Sequence, residues 1–247
     1  LPAHIEQLEN LVFLNAMGNH FERWDEALFS LKNLEVLNLK GNEFSYIPKE
    51  IEQLKSLIKL DVADNKIAKI SEEIGALKKL QYLYLSGNSL VSLPTTISQC
   101  EQLKVLQLDT NQLSYLPPSV AALPPLKTLQ LGYNQFYELD TQWTNIQTLE
   151  ELNMEHNRLQ EIPKSIGSLK KLKTLILNDN NLKELPASFS NLENLELAIL
   201  SGNRLTELPA AISALRKLRT LILTNNNFSK TEQERIRKAL PACAVYF

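Results

Sequence analysis

An asparagine recurs every 23 residues along almost the whole chain, and this period is the strongest constraint on the fold. A leucine keeps the same interval from Leu11 to Leu218, and no insertion or deletion interrupts the register. Self-similarity at a fixed period is typical of a solenoid, in which each repeat is one structural unit stacked on the last. The asparagine series is Asn19, Asn42, Asn65, Asn88, Asn111, Asn134, Asn157, Asn180, Asn203 and Asn226.

Within each repeat the apolar residues follow a fixed spacing. One unit runs Leu103, Leu106, Leu108, Asn111, Leu113, Leu116, Pro117, Val120 and Leu123. The alternation of Leu106 and Leu108 places both on one face of a short strand, with Gln107 on the opposite face. The three-residue spacing after the asparagine, with Pro near its start, predicts a 3-10 or irregular return leg. Stacking such units predicts a parallel sheet on a concave face and the returns on a convex face.

The recurring asparagines are predicted to be structural. Each one ends a strand and turns the chain, which leaves backbone N–H and C=O groups that the neighbouring strands cannot reach. A buried carboxamide can bond both kinds of group, so the series predicts a ladder of side-chain to backbone hydrogen bonds. A ligand-binding role is the alternative. Asp25, Ser71 and Asp140 replace the usual Pro, and the repeats around Asp25 and Asp140 are predicted to bulge.

The repeat signature L-x-x-L-x-L-x-x-N-x-L, followed by x-x-L-P-x-x-I-x-x-L, resembles the leucine-rich repeat family. The 23-residue L-P-x-x-I form is similar to the Ras-group type and to stand-alone bacterial members. The closing segment 232–243 looks most like the C-terminal cap of bacterial members, including spirochaetal ones. The resemblance implies an α/β solenoid and a non-catalytic binding scaffold. It also implies a single domain over 1–247, with the tail of a preceding repeat at 1–10, ten repeats at 11–228 and a cap at 229–247.

The two ends of the array differ. Ser229 and Glu232 fit a capping box at the start of a short helix that Pro241 stops, and the alternation in 242–247 predicts a strand. This segment is interpreted as a lid on the last repeat. No equivalent cap is visible at the other end, so it lies upstream of Leu1 or is supplied by residues 4–11. An uncapped edge there would favour self-association.

Composition and motifs exclude several classes of function. A formal net charge of −2 removes the electrostatic argument for nucleic-acid binding, and no apolar stretch approaches the length that inserts into a membrane. The three histidines lie in different repeats, and no phosphate-binding loop is present, so no enzyme and no cofactor is predicted. Asp61, Asp64 and Asp109 are interpreted as a solvated acidic patch rather than a calcium site. Cys100 occupies a core position and is predicted to be buried. The compartment is not predicted.

The side chains that alternate with the strand leucines are the candidate binding residues. Phe13, Met17 and Val36 form an apolar zone near the start, tyrosines flanked by polar residues follow, and aliphatic residues end the series. Such a mixture is typical of a protein interface, although β-branched residues also reflect strand propensity. The predicted partner-binding residues are Lys59, Asp61, Tyr82, Tyr84, Gln107, Asp109, Gln130, Tyr133, Glu151, Asn153, Glu155, Ile176, Ile199 and Ile222.

The partner predicted from these residues is a protein of unknown identity. A host protein is one interpretation if the source is a pathogen, and a small-GTPase-type regulator is another that the family resemblance suggests. The alternative is a glycan- or matrix-binding surface protein, since exposed Tyr with Asp, Asn and Gln would also suit a sugar. A spacer between flanking domains is the third interpretation.

Overall fold

The computed structural model describes residues 4–123 and 125–247, which form two compact units. The first unit ends at Leu126, and the second is Lys127–Phe247. In both units short parallel strands alternate with short 3-10 helices. The strands, the thin returns and the C-terminal helix and strand confirm the predicted α/β solenoid.

The first unit contains a parallel sheet of five strands in the order β1-β2-β4-β6-β7, counted over the described residues, and β3 pairs with β5 separately. The strands are β1 Phe13–Asn15, β2 Val36–Asn38, β3 Tyr46–Ile47, β4 Lys59–Asp61, β5 Lys69–Ile70, β6 Tyr82–Tyr84 and β7 Val105–Gln107. The 3-10 helices are Ile5–Gln7, Glu26–Ser30, Lys49–Gln53, Glu72–Ala76, Thr95–Gln99 and Pro118–Ala122.

The second unit contains six parallel strands in chain order. These are β8 Thr128–Gln130, β9 Glu151–Asn153, β10 Thr174–Ile176, β11 Leu197–Ile199, β12 Thr220–Ile222 and β13 Ala244–Tyr246. The 3-10 helices are Thr141–Asn145, Lys164–Ser168, Ala187–Asn191 and Ile212–Ala214, and one α-helix, α1, spans Lys230–Ala239.

Most of the three-residue strands bury their central residue and leave its two neighbours partly exposed, and the exceptions are β1, β9 and β13. Leu83 is fully buried at the centre of β6, whereas Tyr82 and Tyr84 on either side are half-buried. Strands pair in register, so Leu83 lies beside Leu106 of the next strand. The same repeat positions therefore form continuous rows within each unit, with the leucine rows in the core.

The asparagine ladder is confirmed except at Asn19, which is exposed and, among the described residues, bonds only carbonyls of its own repeat. The Asn157 amide donates to the carbonyls of Leu131 (2.9 Å) and Met154 (3.1 Å), and its oxygen accepts from the Phe136 N–H at 3.0 Å. One side chain thus links two consecutive repeats and bonds groups that the sheet leaves unpaired. The same pattern holds for Asn42, Asn65, Asn88, Asn111, Asn180, Asn203 and Asn226.

The predicted bulges at the repeats that lack Pro are wrong. Asp140 precedes Thr141–Asn145, a 3-10 helix of the usual five residues, and its carboxylate accepts from the Gln142 N–H at 2.8 Å. Asp25 makes the same bond to the Ala27 N–H at 3.0 Å. A carboxylate N-cap therefore starts the return leg in place of Pro, because it binds a backbone donor that the helix leaves unpaired.

The C-terminal cap is confirmed as a helix followed by a strand, but the capping box is only half correct. Ser229 Oγ accepts from the Glu232 N–H at 3.2 Å, as predicted. The Glu232 carboxylate does not return to the Ser229 backbone. It accepts instead from the Leu208 N–H (3.0 Å) and from Arg235 (2.7 Å), which joins α1 to the preceding repeat.

The predicted tail of a preceding repeat at 1–10 is only partly visible. Leu1 and Pro2, on which this prediction rests, lie outside the described residues. Ile5 is buried in the short helix Ile5–Gln7, whereas Leu8 is 53% exposed. Ile5 therefore behaves as a core residue of the first unit and Leu8 does not.

Candidate binding surfaces on the two sheets

Each sheet has one face buried by the leucine rows and one face that remains open. The open face carries the side chains that flank the central strand residues, together with the residue two places after each strand. The predicted binding residues of the first unit are Lys59, Asp61, Tyr82, Tyr84, Gln107 and Asp109, and those of the second are Gln130, Tyr133, Glu151, Asn153, Glu155, Ile176, Ile199 and Ile222.

On the open face of the first unit, two tyrosines flank the buried centre of β6. Lys59 Nζ lies 4.7 Å from the centroid of the Tyr84 ring, a distance at which a cation is attracted to the aromatic face. Burial raises the pKa of the Tyr84 hydroxyl, and the negative charge of Asp61 raises it further. Tyr84 therefore presents a neutral phenol that can both donate and accept a hydrogen bond.

Polar side chains surround this tyrosine pair. Asp61 pairs with Tyr84 in register, and Tyr84 pairs with Gln107 on the next strand. Asp61 accepts from the Ala63 N–H at 3.2 Å, and Asp109 accepts from Ser86 Oγ at the same distance. These bonds help to fix the orientation of the two carboxylates.

The carboxylates of the first unit do not form a metal centre. Asp61 and Asp109 lie two strands apart, and Asp64 binds Lys40 Nζ at 3.2 Å. Over residues 4–123 and 125–247, no three His, Cys, Asp or Glu side chains are grouped so that they could hold a metal ion.

An aromatic and acidic group occupies one edge of the open face of the second unit. The Tyr133 and His156 rings stack with their centroids 4.2 Å apart and an interplanar angle of 19°. His156 Nε2 lies 3.0 Å from Asp179 Oδ2 in the next repeat. All three residues have positive φ (54°, 47° and 54°), at the repeat position where Gly202 stands further along. We call Tyr133, Glu155, His156 and Asp179 the acidic-aromatic edge.

Neutral amides hold the carboxylates of this edge. Asn153 Nδ2 donates to Glu155 Oε1 (3.2 Å), and Asn178 Nδ2 contacts Glu155 Oε2 (3.3 Å) and Asp179 Oδ2 (2.8 Å). Asn153 itself departs from the exposed position that the sequence predicted. It is only 7% exposed because its side chain folds onto Glu155, so it positions that carboxylate rather than facing solvent.

The predicted isoleucines form a continuous row on the same face. Ile176 pairs in register with Ile199, and Ile199 pairs with Ile222, each partly exposed. Tyr246 of β13 continues the row beside Ile222 and is 54% exposed. We call these four residues the aliphatic row. The repeat period missed Tyr246 because β13 lies in the cap, although the alternation of Ala244 and Tyr246 in the sequence indicates which side chains face outward.

Cys100 lies in the core of the first unit, as predicted. It is fully buried, and Sγ lies 3.3 Å from the Ile74 carbonyl oxygen. Burial raises the pKa of its thiol to about 12. A thiol that remains protonated at neutral pH is a weak nucleophile.

Three family models match the chain. A leucine-rich repeat region model covers residues 144–240, and two leucine-rich repeat models cover 55–113 and 33–54. The chain belongs to the leucine-rich repeat family. The assignment to the 23-residue L-P-x-x-I type remains a prediction. No match was found among curated protein sequences.

Three solved structures show what the chain is similar to. A protein of Leptospira interrogans shares 31% identity over all of this chain and 86% of its own, with a TM-score of 0.44. A TDR receptor shares 29% identity over 98% of this chain and 44% of its own, with a TM-score of 0.86. The Arabidopsis receptor kinase HAESA, solved with a peptide hormone and a co-receptor, shares 26% identity over 89% of this chain and 39% of its own, with a TM-score of 0.77.

The comparisons support a protein-interaction scaffold in general, and none of the matched families is catalytic. The chain spans less than half the length of either of these two receptor chains. Within the part of the chain that the structure describes, no helix has the length and apolar character needed to cross a bilayer.

Proposed function

We propose that this leucine-rich repeat chain is a non-catalytic protein-binding module whose partner contacts the open faces of its sheets. The observation that carries the proposal is the contrast within β6. Leu83 is fully buried, whereas the two tyrosines on either side of it keep part of their rings in solvent. Core packing accounts for the leucine. Aromatic residues on the solvent side, among polar neighbours, have the composition of an interface hot spot.

The proposal can be tested with a selected ligand, because no partner is identified. A random-peptide display library is panned on the chain, and the affinities of the enriched peptides are then measured for variants. The double variant Tyr82→Ala/Tyr84→Ala addresses the first unit, and Ile199→Asp addresses the second. The matched control is Tyr115→Ala, since Tyr115 is 57% exposed but lies on a return leg outside the open face.

If the proposal is correct, one of the two open-face variants weakens each enriched peptide by about tenfold or more, and the control changes affinity less than about twofold. Thermal unfolding should show all the variants folded. Peptides that bind every variant as tightly as the original chain would contradict the proposal, because their site would then lie elsewhere.

A glycan- or matrix-binding surface protein is the second candidate. The half-exposed tyrosines of β6 with Asp61 and Gln107 in the neighbouring strands offer both ring faces and hydrogen-bonding groups, which also suit a sugar. A glycan array probed in parallel separates the two candidates. The glycan-binding candidate would be favoured if the chain bound a glycan saturably, if the double tyrosine variant lost this binding, and if no peptide was enriched. With a protein target in hand, glycosidase treatment of that target gives the same separation.

A further inference from the structure

We propose that the open face of the second unit binds a peptide segment that carries an arginine and, a few residues along, aliphatic side chains. The arginine would bind at the acidic-aromatic edge and the aliphatic side chains on the aliphatic row. This inference rests on the proposed function, and it adds the chemistry and the location of the ligand.

The charge of this face has one sign. Its carboxylates are Glu151, Glu155 and Asp179, and no Lys or Arg occupies the open-face positions of β8–β13 or the residues two places beyond the five repeat strands. A cationic group is therefore the complementary partner. Hydrogen bonds of 2.8–3.3 Å from Asn153 and Asn178 orient Glu155 and Asp179 without neutralising them. A fixed carboxylate needs little reorganisation when a ligand binds.

Two lysines lie at the opposite edge of this sheet, whereas Arg158 and Arg204, which follow β9 and β11, already bind Tyr137 Oη (2.8 Å) and Asn181 Oδ1 (2.9 Å). Lys127 Nζ and Lys173 Nζ both bind Glu150, at 3.0 and 2.7 Å. These residues precede the strands, whereas Glu155 follows β9, so five residues or about 16 Å of extended chain separate Glu150 from Glu155. This distance exceeds the Debye length at physiological ionic strength, roughly 8 Å. A ligand cation is thus directed to Glu155 and Asp179 rather than to the lysine-bearing edge.

The stacked rings favour arginine over lysine at this edge. Tyr133 is 50% exposed, and the side chain of His156 is 40% exposed. A guanidinium is planar, stacks on aromatic rings and binds carboxylates through two parallel hydrogen bonds, whereas an ammonium group is a compact point charge. The combination of an exposed aromatic stack with two oriented carboxylates therefore fits a guanidinium better.

The aliphatic row fixes where the rest of the peptide lies. Asp179 and Ile222 are separated by two strand spacings of about 4.8 Å and three residues of about 3.3 Å, which gives a diagonal of about 14 Å. About four residues of extended peptide span that distance. Leu197 lies in β11 beside this row and is also partly exposed. The ligand is therefore an arginine followed or preceded, within about four residues, by two or more aliphatic side chains.

The test pans a random-peptide library on the whole chain and on the variant Glu155→Gln/Asp179→Asn. These substitutions keep shape and remove charge, and Asn tolerates the positive φ at position 179. The matched control is Glu161→Gln, an exposed carboxylate outside the open face. We expect the peptides selected on the original chain and on the control to contain an arginine with aliphatic residues. The peptides selected on the double variant should lack the arginine. Replacing that arginine by citrulline should weaken binding about tenfold, and by lysine several-fold.

Two results overturn the inference, and they differ in what they imply for the proposed function. Peptides without arginine that lose affinity on Ile199→Asp would refute the ligand chemistry and leave the open face as the binding surface. Peptides whose affinity is unchanged by every open-face variant of either unit would refute both this inference and the proposed function. Arginine peptides that bind Glu155→Gln/Asp179→Asn as tightly as the original chain would also refute the inference, since their site would not be this edge.

Discussion

The side-chain oxygen of Asn111 accepts a hydrogen bond of 2.9 Å from the backbone N–H of Leu90, twenty-one residues earlier in the chain. Its amide donates to the carbonyl of Leu85, twenty-six residues earlier, at 3.0 Å. Asn111 is only 8% exposed, so water cannot easily replace it. One polar side chain in the first unit thus bonds buried groups of the preceding repeat.

Replacing Asn111 by Ala should lower the free energy of unfolding by about 1–3 kcal/mol, because it leaves buried donors and acceptors without partners. Asn19→Ala is the matched control. Asn19 occupies the same repeat position but is exposed, and it bonds the carbonyls of Ala16 and Met17, three and two residues earlier. Urea denaturation measures both variants. Equal losses for the two would contradict the view that burial and inter-repeat bonding give Asn111 its importance.

The two cysteines should differ in reactivity. Burial raises the pKa of the Cys100 thiol to about 12, whereas Cys243 is only partly buried and its pKa is raised in the same direction. At about pH 8, iodoacetamide should therefore alkylate Cys243 first, and Cys100 only as the first unit unfolds. Mass spectrometry of peptides at successive times measures both rates. Similar rates in the native protein would mean that Cys100 is accessible, and denatured protein provides the control in which both react.

Much of the fold could be predicted from the sequence because the period repeats ten times. The positions of Leu106 and Leu108 define the buried face in most repeats, and the asparagines from Asn42 onward that bond the preceding repeat share one role. Predictions from the sequence were wrong or incomplete where a residue lies outside the repeat period or forms a hydrogen bond with a residue distant in the chain. The Glu232 side chain fits a capping box locally, yet it bonds Leu208, twenty-four residues away.

The candidate site was less predictable than the fold. The strand period placed Tyr82, Tyr84 and the isoleucines on the open face. It placed Asn153 there as well, although its oxygen accepts from the N–H two residues on, as those of Asn15, Asn38 and Asp61 also do. Tyr133 and His156, whose rings stack, both have a left-handed backbone. The contacts of Tyr133 with His156 and of Asn178 with Glu155 join unlike side chains of neighbouring repeats, so the repeat period does not encode them.

The return leg after Asp140 tests how a carboxylate substitutes for proline. Asp140→Ala removes the acceptor for the Gln142 N–H and should lower the free energy of unfolding by about 1 kcal/mol. Asp140→Pro should cost less, because the backbone at this position already has φ −57°, close to the angle that proline imposes. Other returns begin with proline at similar angles, as at Pro163 with φ −65°. Thermal or urea unfolding ranks the stabilities of the variants. A larger loss of unfolding free energy for Asp140→Pro than for Asp140→Ala would contradict the view that the carboxylate substitutes for proline.

The Glu232 carboxylate makes the stability of the cap depend on pH. Its hydrogen bond to Arg235 lowers its pKa below the ordinary value of 4.5 despite partial burial, and the Leu208 N–H contributes in the same direction. A carboxyl group with a lowered pKa in the folded state adds stability above its unfolded pKa and loses it as the pH falls through the folded pKa. The contribution of Glu232 should therefore be complete at about pH 7 and be lost as the pH falls from the ordinary value of 4.5 through the lowered pKa of the folded state.

The comparison of Glu232→Gln with the original chain isolates this contribution. At about pH 7 the variant should unfold more easily, by roughly 1 kcal/mol, because a neutral amide bonds Arg235 more weakly than a carboxylate does. The difference should shrink as the pH is lowered, since the original carboxylate then becomes neutral as well. Glu234→Gln, an exposed position on the same helix, serves as control and should change the free energy of unfolding by less than about 0.5 kcal/mol. A difference for Glu232→Gln that stays constant down to acid pH would show that the side chain acts through its shape and not through its charge.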